Sequence, residues 1–100
     1  MRFATKFSSR ELTPLPGCSQ VVVSHGAFML QEHRSKGLAL PEHLLALEKA
    51  KELNYDYALC TVREDNTPQH KVLEKAGWKL FDTFKSSYTG GIVRLYGKQL

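Results

Sequence analysis

Gln31-Glu32-His33-Arg34-Ser35-Lys36-Gly37-Leu38-Ala39 is the stretch on which the reading of this chain turns. The apolar run that leads into it, residues 27–31, suits a β-strand. After it the spacing of apolar residues changes: Leu38, Leu40, Leu44, Leu45, Leu47, Ala50 and Leu53 fall on one broad helical face over residues 37–53. Glu48, Lys49, Lys51 and Glu52 lie mostly opposite. A polar, basic, glycine-bearing loop therefore joins a strand directly to a helix. Helix N-termini expose amide hydrogens and a partial positive charge, so such a junction attracts anions. Gly37 permits a positive φ or a close approach of backbone to ligand. Ala39 leaves the first turn free of bulk, and Arg34 and Lys36 add charge at the same point. A pyrophosphate suits this arrangement, although the same features also describe an ordinary strand-to-helix connection.

Working outward, Gln20-Val21-Val22-Val23 reads as a buried strand, and Ser24-His25-Gly26 as a turn returning the chain into residues 27–31. Within residues 1–17, Phe3 and Phe7 suit a short strand, while Pro14, Pro16 and Gly17 mark a loop. Downstream, Pro41 sits in the first helical turn, where its missing amide hydrogen is harmless, and Asn54 is a helix stop. Residues 55–62 form a strand and 63–66 a loop. Asn66 or Thr67 caps a short helix with Pro68 at its start, running to about Ala76 and ended by Gly77. Residues 78–85 are a strand, 86–91 a hairpin turn and 92–96 a final strand. The predicted order is β-β-α-β-α-β-β. The long helix between strands implies a right-handed β-α-β crossover with parallel strands. Hairpins at both ends make the sheet mixed, so the fold class is α/β (α+β) with helices on the sheet faces.

The 100 residues fit one domain, 1–100, with a motif-bearing core at about 20–85. No apolar run approaches the roughly 20 residues needed to cross a membrane, and residues 1–10 are too polar for the core of a signal peptide. A cytoplasmic protein without membrane association is expected. The net charge of +4 comes from basic residues scattered along the chain without a block, which argues against nucleic acid as a partner. Cys18 and Cys60, and the histidines at 25, 33, 43 and 70, have no metal-site spacing, so no metal is expected. Two reduced thiols are expected, with Cys60 buried in a strand.

Arg34-x-x-Gly37-x-Ala39 resembles the R/Q-x-x-G-x-G/A signature of the GNAT superfamily of N-acetyltransferases, and lies between a strand and the long helix as it does there. A second segment follows at the expected distance. A strand at 57–62, then Asn66, then a short helix ending Leu73-Glu74-Lys75-Ala76-Gly77-Trp78 resembles the N…xxEKxGF segment of the same family. The resemblance implies acetyl-CoA as acyl donor and a primary amine, on a protein or a small molecule, as acceptor. It implies that backbone amides of Arg34, Ser35, Lys36, Gly37, Leu38 and Ala39 cradle the coenzyme A pyrophosphate. Met29, Leu30 and Gln31 would bind the pantetheine arm through their main chain, where two parallel strands splay apart. Asn66 matches a position that commonly contacts the pantetheine or the bound cofactor, and equally reads as a helix cap. Trp78 is assigned to packing.

The match departs from the family at Leu73, where many relatives carry a tyrosine that protonates the departing thiolate. Leu73 reads as core. A general base is sought among Glu32, His33 and His25, with His70 a fourth candidate and Tyr88 and Tyr96 further residues that could reach the site. The chain is also short for the family: the usual N-terminal strand and two helices that shape the acceptor site are expected to be missing, with residues 1–17 too few to replace them. An open acceptor site, a homodimer that completes it, or a truncated binding domain would each account for this. Three functions stay open: an acetyl-CoA-dependent N-acetyltransferase, a non-catalytic acyl-CoA-binding or regulatory domain, and a small basic nucleic-acid-binding protein.

Overall fold

A computed structural model of the chain describes residues 1–29, 32 and 37–100. Its elements are β1 (Arg2–Ala4), β2 (Ser8–Leu15), β3 (Cys18–Met29), α1 (Ala39–Glu52), β4 (Tyr57–Arg63), α2 (Thr67–Lys75), β5 (Lys79–Lys85) and β6 (Ile92–Gln99). The sheet order is β1-β2-β3-β4-β6-β5. β3 and β4, joined through α1, pair in parallel, and the neighbouring strands elsewhere pair antiparallel. This is the mixed sheet with one long and one short helix expected from sequence.

The N-terminal third differs from the reading above in two ways. Phe3 lies in a short strand and Pro16-Gly17 in a turn, as expected, but Phe7 lies between strands and Pro14 within β2, so β1 and β2 fill the side of the sheet that was expected to lack structure. Pro14 is compatible with β2 because β1 covers β2 only as far as Glu11, leaving the amide edge at Pro14 without a strand partner on that side. The hairpin expected at Ser24-His25-Gly26 is also absent. Residues 18–29 form one continuous strand, and the true turn lies at Pro16-Gly17, between β2 and β3. Gly26 marks a β-bulge instead. Between the pairs Glu11↔His25 and Ser9↔Phe28, β3 has Gly26 and Ala27 where β2 has only Arg10, and Gly26 takes φ +62°.

α1 begins two residues later than predicted, behind Leu38, and stops where expected, with Asn54 at φ +69°. Its buried residues are Glu42, His43, Ala46 and Ala50, whereas Leu44 and Leu45 are each 44% exposed. The buried stripe therefore runs through two polar side chains that the apolar pattern did not select. α2 follows its sequence signals closely. The Asn66 Oδ1 accepts from the Gln69 amide at 3.4 Å, and Pro68 sits in the first turn. At the other end Trp78 N donates to Leu73 O (3.0 Å) and Gly77 N to Glu74 O (3.1 Å), with Gly77 at φ +88°. That pair of bonds is a Schellman cap, and its glycine supplies the left-handed residue it needs.

One hydrophobic cluster unites the layers: Leu12, Val22, Ala58, Cys60, Val62 and Tyr96 from the sheet, with Ala50, Leu73, Ala76 and Trp78. Both helices share this cluster. Small residues at Ala46, Ala50 and Ala58 let α1 approach the strands closely.

Candidate functional site

β3 and β4 pair only at Val21↔Tyr57, Val22↔Ala58 and Val23↔Leu59. Beyond that point β3 continues to Met29 on its ladder with β2, and β4 continues to Arg63 on its ladder with β6. The two parallel strands therefore part, and a cleft opens between their C-terminal ends. It has two overlapping lobes of about 370 and about 300 Å³. The first lies among Ala27, Phe28 and Met29 of β3, Ala39, Glu42 and His43 of α1, and Asn66, Pro68, Gln69 and Val72 at the start of α2. The second reaches Ser24, His25 and Gly26 on one side and residues 60–63 of β4 on the other. Arg10, Ala27, His43, Asn66 and Gln69 line both. Two helix N-termini thus flank a slot lined by both polar and apolar residues, a setting suited to a long ligand with an anionic end.

A polar cluster underlies the cleft. Arg10, 7% exposed, donates from Nη1 to His43 Nδ1 at 3.0 Å. Burial, and then the adjacent guanidinium, hold the His43 pKa down to about 4. The imidazole is therefore neutral near pH 7, with its lone pair on Nδ1 and its proton on Nε2. Nε2 has no hydrogen-bond partner among the described residues, and the ring lies 5.2 Å from that of Trp78. Glu42 Oε1 accepts from the hydroxyls of Thr5 and of Ser8, the latter at 2.7 Å. Cys60 also lines the cleft, but burial pushes its thiol up to about 12 against the opposing influence of Arg10. A thiol so placed carries almost no thiolate near neutrality and is a packing residue, not a nucleophile.

Of the residues singled out from sequence, Met29, Ala39 and Asn66 line the first lobe and His25 the second. Gly37 takes φ +73°, one of the two roles expected of it, with open space where a Cβ would lie. Leu38 is the residue before α1 and makes no side-chain cap. His25 Nε2 lies 2.9 Å from Thr13 Oγ1 at the cleft rim. Glu32 is exposed and lines neither lobe. Leu30, Gln31, His33, Arg34, Ser35 and Lys36 lie outside the described residues. Leu73 is fully buried in the core, as read. His70 and Tyr96 are not available to a substrate, because they are bonded to each other in the interior, and Tyr88 is 99% exposed on the β5–β6 turn, away from the cleft. Arg10, Glu42 and His43 were not anticipated. No spacing rule links Arg10 to a histidine 33 positions later; only the tertiary fold brings them together. Among the described residues no cluster of three or more His, Cys, Asp or Glu side chains could hold a metal.

No family model matches the chain, and no curated protein matches its sequence. Solved structures do. An IAA acetyltransferase from Bacillus cereus superposes with a TM-score of 0.83 at 12% identity, over 94% of this chain and 70% of that one. A GNAT-family acetyltransferase from Bacillus anthracis gives 0.79 at 19% identity, over 93% and 58%. Spermidine N-acetyltransferase from Vibrio cholerae, in complex with CoA and spermine, gives 0.83 at 16% identity, over 93% and 57%. The chain thus has the acetyltransferase fold that its two motifs resemble, and spans from a little over half to 70% of the length of these proteins.

Proposed function

We propose that this chain binds acetyl-CoA in the cleft between β3 and β4 and transfers the acetyl group to a primary amine. The observation that carries this reading is the parting of two parallel strands after Val23 and Leu59, directly beside the N-termini of both helices. On this reading the loop 34–39 holds the pyrophosphate at the start of α1, with Gly37 giving the backbone the turn it needs. Met29 and the two residues after it meet the pantetheine arm through their main chain, and Asn66 meets it from α2. Acetyl-CoA supplies an acyl group already activated as a thioester. The amine nitrogen bonds to the acyl carbon as the carbon–sulfur bond breaks; the amine gives up a proton and the departing thiolate takes one up. The protein's part is to align the two partners and to offer a strand amide to the carbonyl oxygen.

His25 is the base candidate that lines the cleft, within reach of Thr13. Glu32 and His33 stay candidates on the strength of the motif alone. With leucine at position 73, solvent or another cleft group protonates the thiolate. That same leucine favours a second reading, a non-catalytic acyl-CoA-binding or regulatory domain. A homodimer is a further expectation; β5, at the sheet edge with Leu80, Phe81 and Phe84 exposed, is the strand such pairing would use. We place the protein in the cytoplasm, where its free cysteines would stay reduced; no described helix is long and apolar enough to cross a membrane.

Calorimetric titration with acetyl-CoA tests the reading, followed by thiol release in the presence of polyamines, amino acids and lysine peptides. Micromolar binding with turnover supports the enzyme, and binding without turnover supports the regulatory domain. A folded protein that binds no acetyl-CoA refutes both, and steeply salt-dependent nucleic-acid binding would then favour the basic-protein alternative.

A further inference from the structure

We infer that the substrate of this cleft brings a carboxylate to it, and that Arg10 is the residue that receives it. The inference rests on the cleft being the acyl-transfer site and goes beyond it by naming the chemistry of the group recognised there.

Arg10 is a buried cation that lines both lobes of the cleft. A guanidinium has five N–H donors, and among the described residues one of these is used, on His43 Nδ1. No carboxylate of the described residues lies within ion-pair distance of Arg10, and none of the six remaining residues is acidic. Glu42 is a carboxylate whose charge Arg10 feels, yet its Oε1 is taken by Thr5 and Ser8. A buried charge without a paired counter-ion is costly. The surroundings nonetheless hold Arg10 in place. The bulge at Gly26-Ala27 lies directly opposite it, and bulges of this kind re-aim side chains beside binding sites. His43 is neutral, so it anchors the guanidinium by accepting a hydrogen bond without supplying the missing negative charge.

A planar fork of donors matches a carboxylate in two parallel hydrogen bonds. Phosphate has another address on the present reading, the basic loop before α1. The carboxylate can belong to either reactant: to the acyl group, as in a dicarboxylic half-thioester, or to the acceptor, as in an amino acid. The acceptor case has a counterpart in Glu42, an acidic side chain in the same lobe, toward which an ammonium would be drawn.

Two paired comparisons on the wild-type protein separate the sources. Succinyl-CoA is compared with butyryl-CoA as donor, and each common amino acid with its C-terminal amide as acceptor alongside acetyl-CoA. The quantity read is kcat/KM, or calorimetric affinity where no turnover occurs. One arm is expected to favour the carboxylate at least tenfold. Arg10→Gln should bring that preference within twofold and Arg10→Lys should keep part of it, with melting temperature and CoA affinity read in parallel. Should both variants fail to fold, the Nε–Hε NMR signal of Arg10 in the wild type takes their place. It should shift with the preferred carboxylate compound and not with its neutral partner. No preference in either arm overturns the inference, as does a preference that survives in folded Arg10→Gln, or an Arg10 signal indifferent to the carboxylate. A CoA titration without binding would instead remove the acyl-transfer reading itself, and the inference with it. Normal CoA affinity without carboxylate preference would leave that reading standing and defeat only this step.

Discussion

The phenol of Tyr96 lies 2.8 Å from Nδ1 of His70, and the other ring nitrogen of that histidine lies 3.0 Å from the carbonyl oxygen of Glu64. A carbonyl can only accept, so Nε2 carries the proton, and Nδ1 receives the Tyr96 hydroxyl hydrogen. Every polar hydrogen of this buried pair is therefore committed. Tyr96→Phe leaves Nδ1 without a donor and should destabilise the protein by about 1–3 kcal/mol, measured by urea denaturation, with little change in acyl-CoA affinity. A loss of affinity with unchanged stability would instead place Tyr96 in the ligand site.

His43 makes stability depend on pH in a defined window. Its folded pKa, about 4, lies below its ordinary value of 6.5. Between these values the unfolded chain binds more protons, so stability is full above pH 6.5 and falls as the pH drops toward 4. The loss should approach about 3 kcal/mol for this group. His43→Gln keeps an acceptor for Arg10 but cannot titrate. Denaturation midpoints at intervals from pH 7 to 4 should show a shallower acid slope for that variant; identical slopes would show that His43 is not the group being read.

Asn66 has two duties that substitution can separate. It caps α2 and it lines both lobes of the cleft. Asn66→Ser should keep the cap and leave stability almost unchanged, whereas Asn66→Ala should lose about 1 kcal/mol. If Asn66 also meets the ligand, acetyl-CoA affinity should fall in both variants. Unchanged affinity in the serine variant would leave only the capping role.

Gly97 is required by its neighbours. A Cβ there would lie 2.7 Å from Phe81 Cζ and 2.9 Å from Tyr57 Cε1, inside the stacked pair those rings form at 6.0 Å. Gly97→Ala should cost about 1–3 kcal/mol through overpacking. Adding Phe81→Ala should recover part of it, and a double mutant no better than the single would refute the steric account.

The two thiols should differ sharply in reactivity. Cys18 is exposed, while Cys60 is buried with its pKa near 12. Brief iodoacetamide treatment at pH 8, read by mass spectrometry, should give one adduct, on Cys18. Prompt labelling of Cys60 would reopen it as a nucleophile at the cleft.

Local signals were legible where local chemistry decides the outcome. Asn66, Pro68 and Gly77 fixed α2 almost to the residue, because a cap, a preset φ and a left-handed stop each act within a few bonds. Gly37 took its positive φ for the same reason. The failures share another cause. β2 was hidden because its inward positions include Arg10, a charge where an alternating pattern calls for an apolar residue. Its partner, His43, lies on a helix 33 positions away. Leu44 and Leu45 had the right spacing for burial, yet Glu42 and His43 took the inner face because Thr5, Ser8 and Arg10 satisfy them there. Gly26 carries an ambiguous signal, since a glycine after a β-branched run marks a bend in either a turn or a bulge.

That glycine divides β3 into two segments of opposite phase. Before it, Val22 points into the core; after it, Ala27 and its neighbours turn toward the cleft under the register set by β2. The shift keeps Ser24 and Met29, five positions apart, on one face of the sheet, which a regular period of two could not do. Deleting Gly26 would restore one regular ladder, pairing Ala27 with Arg10, and the residues after it would keep their faces while the strand lost its local bend. What the extra residue sets is therefore the bend of β3 opposite Arg10, not which of its later side chains face inward.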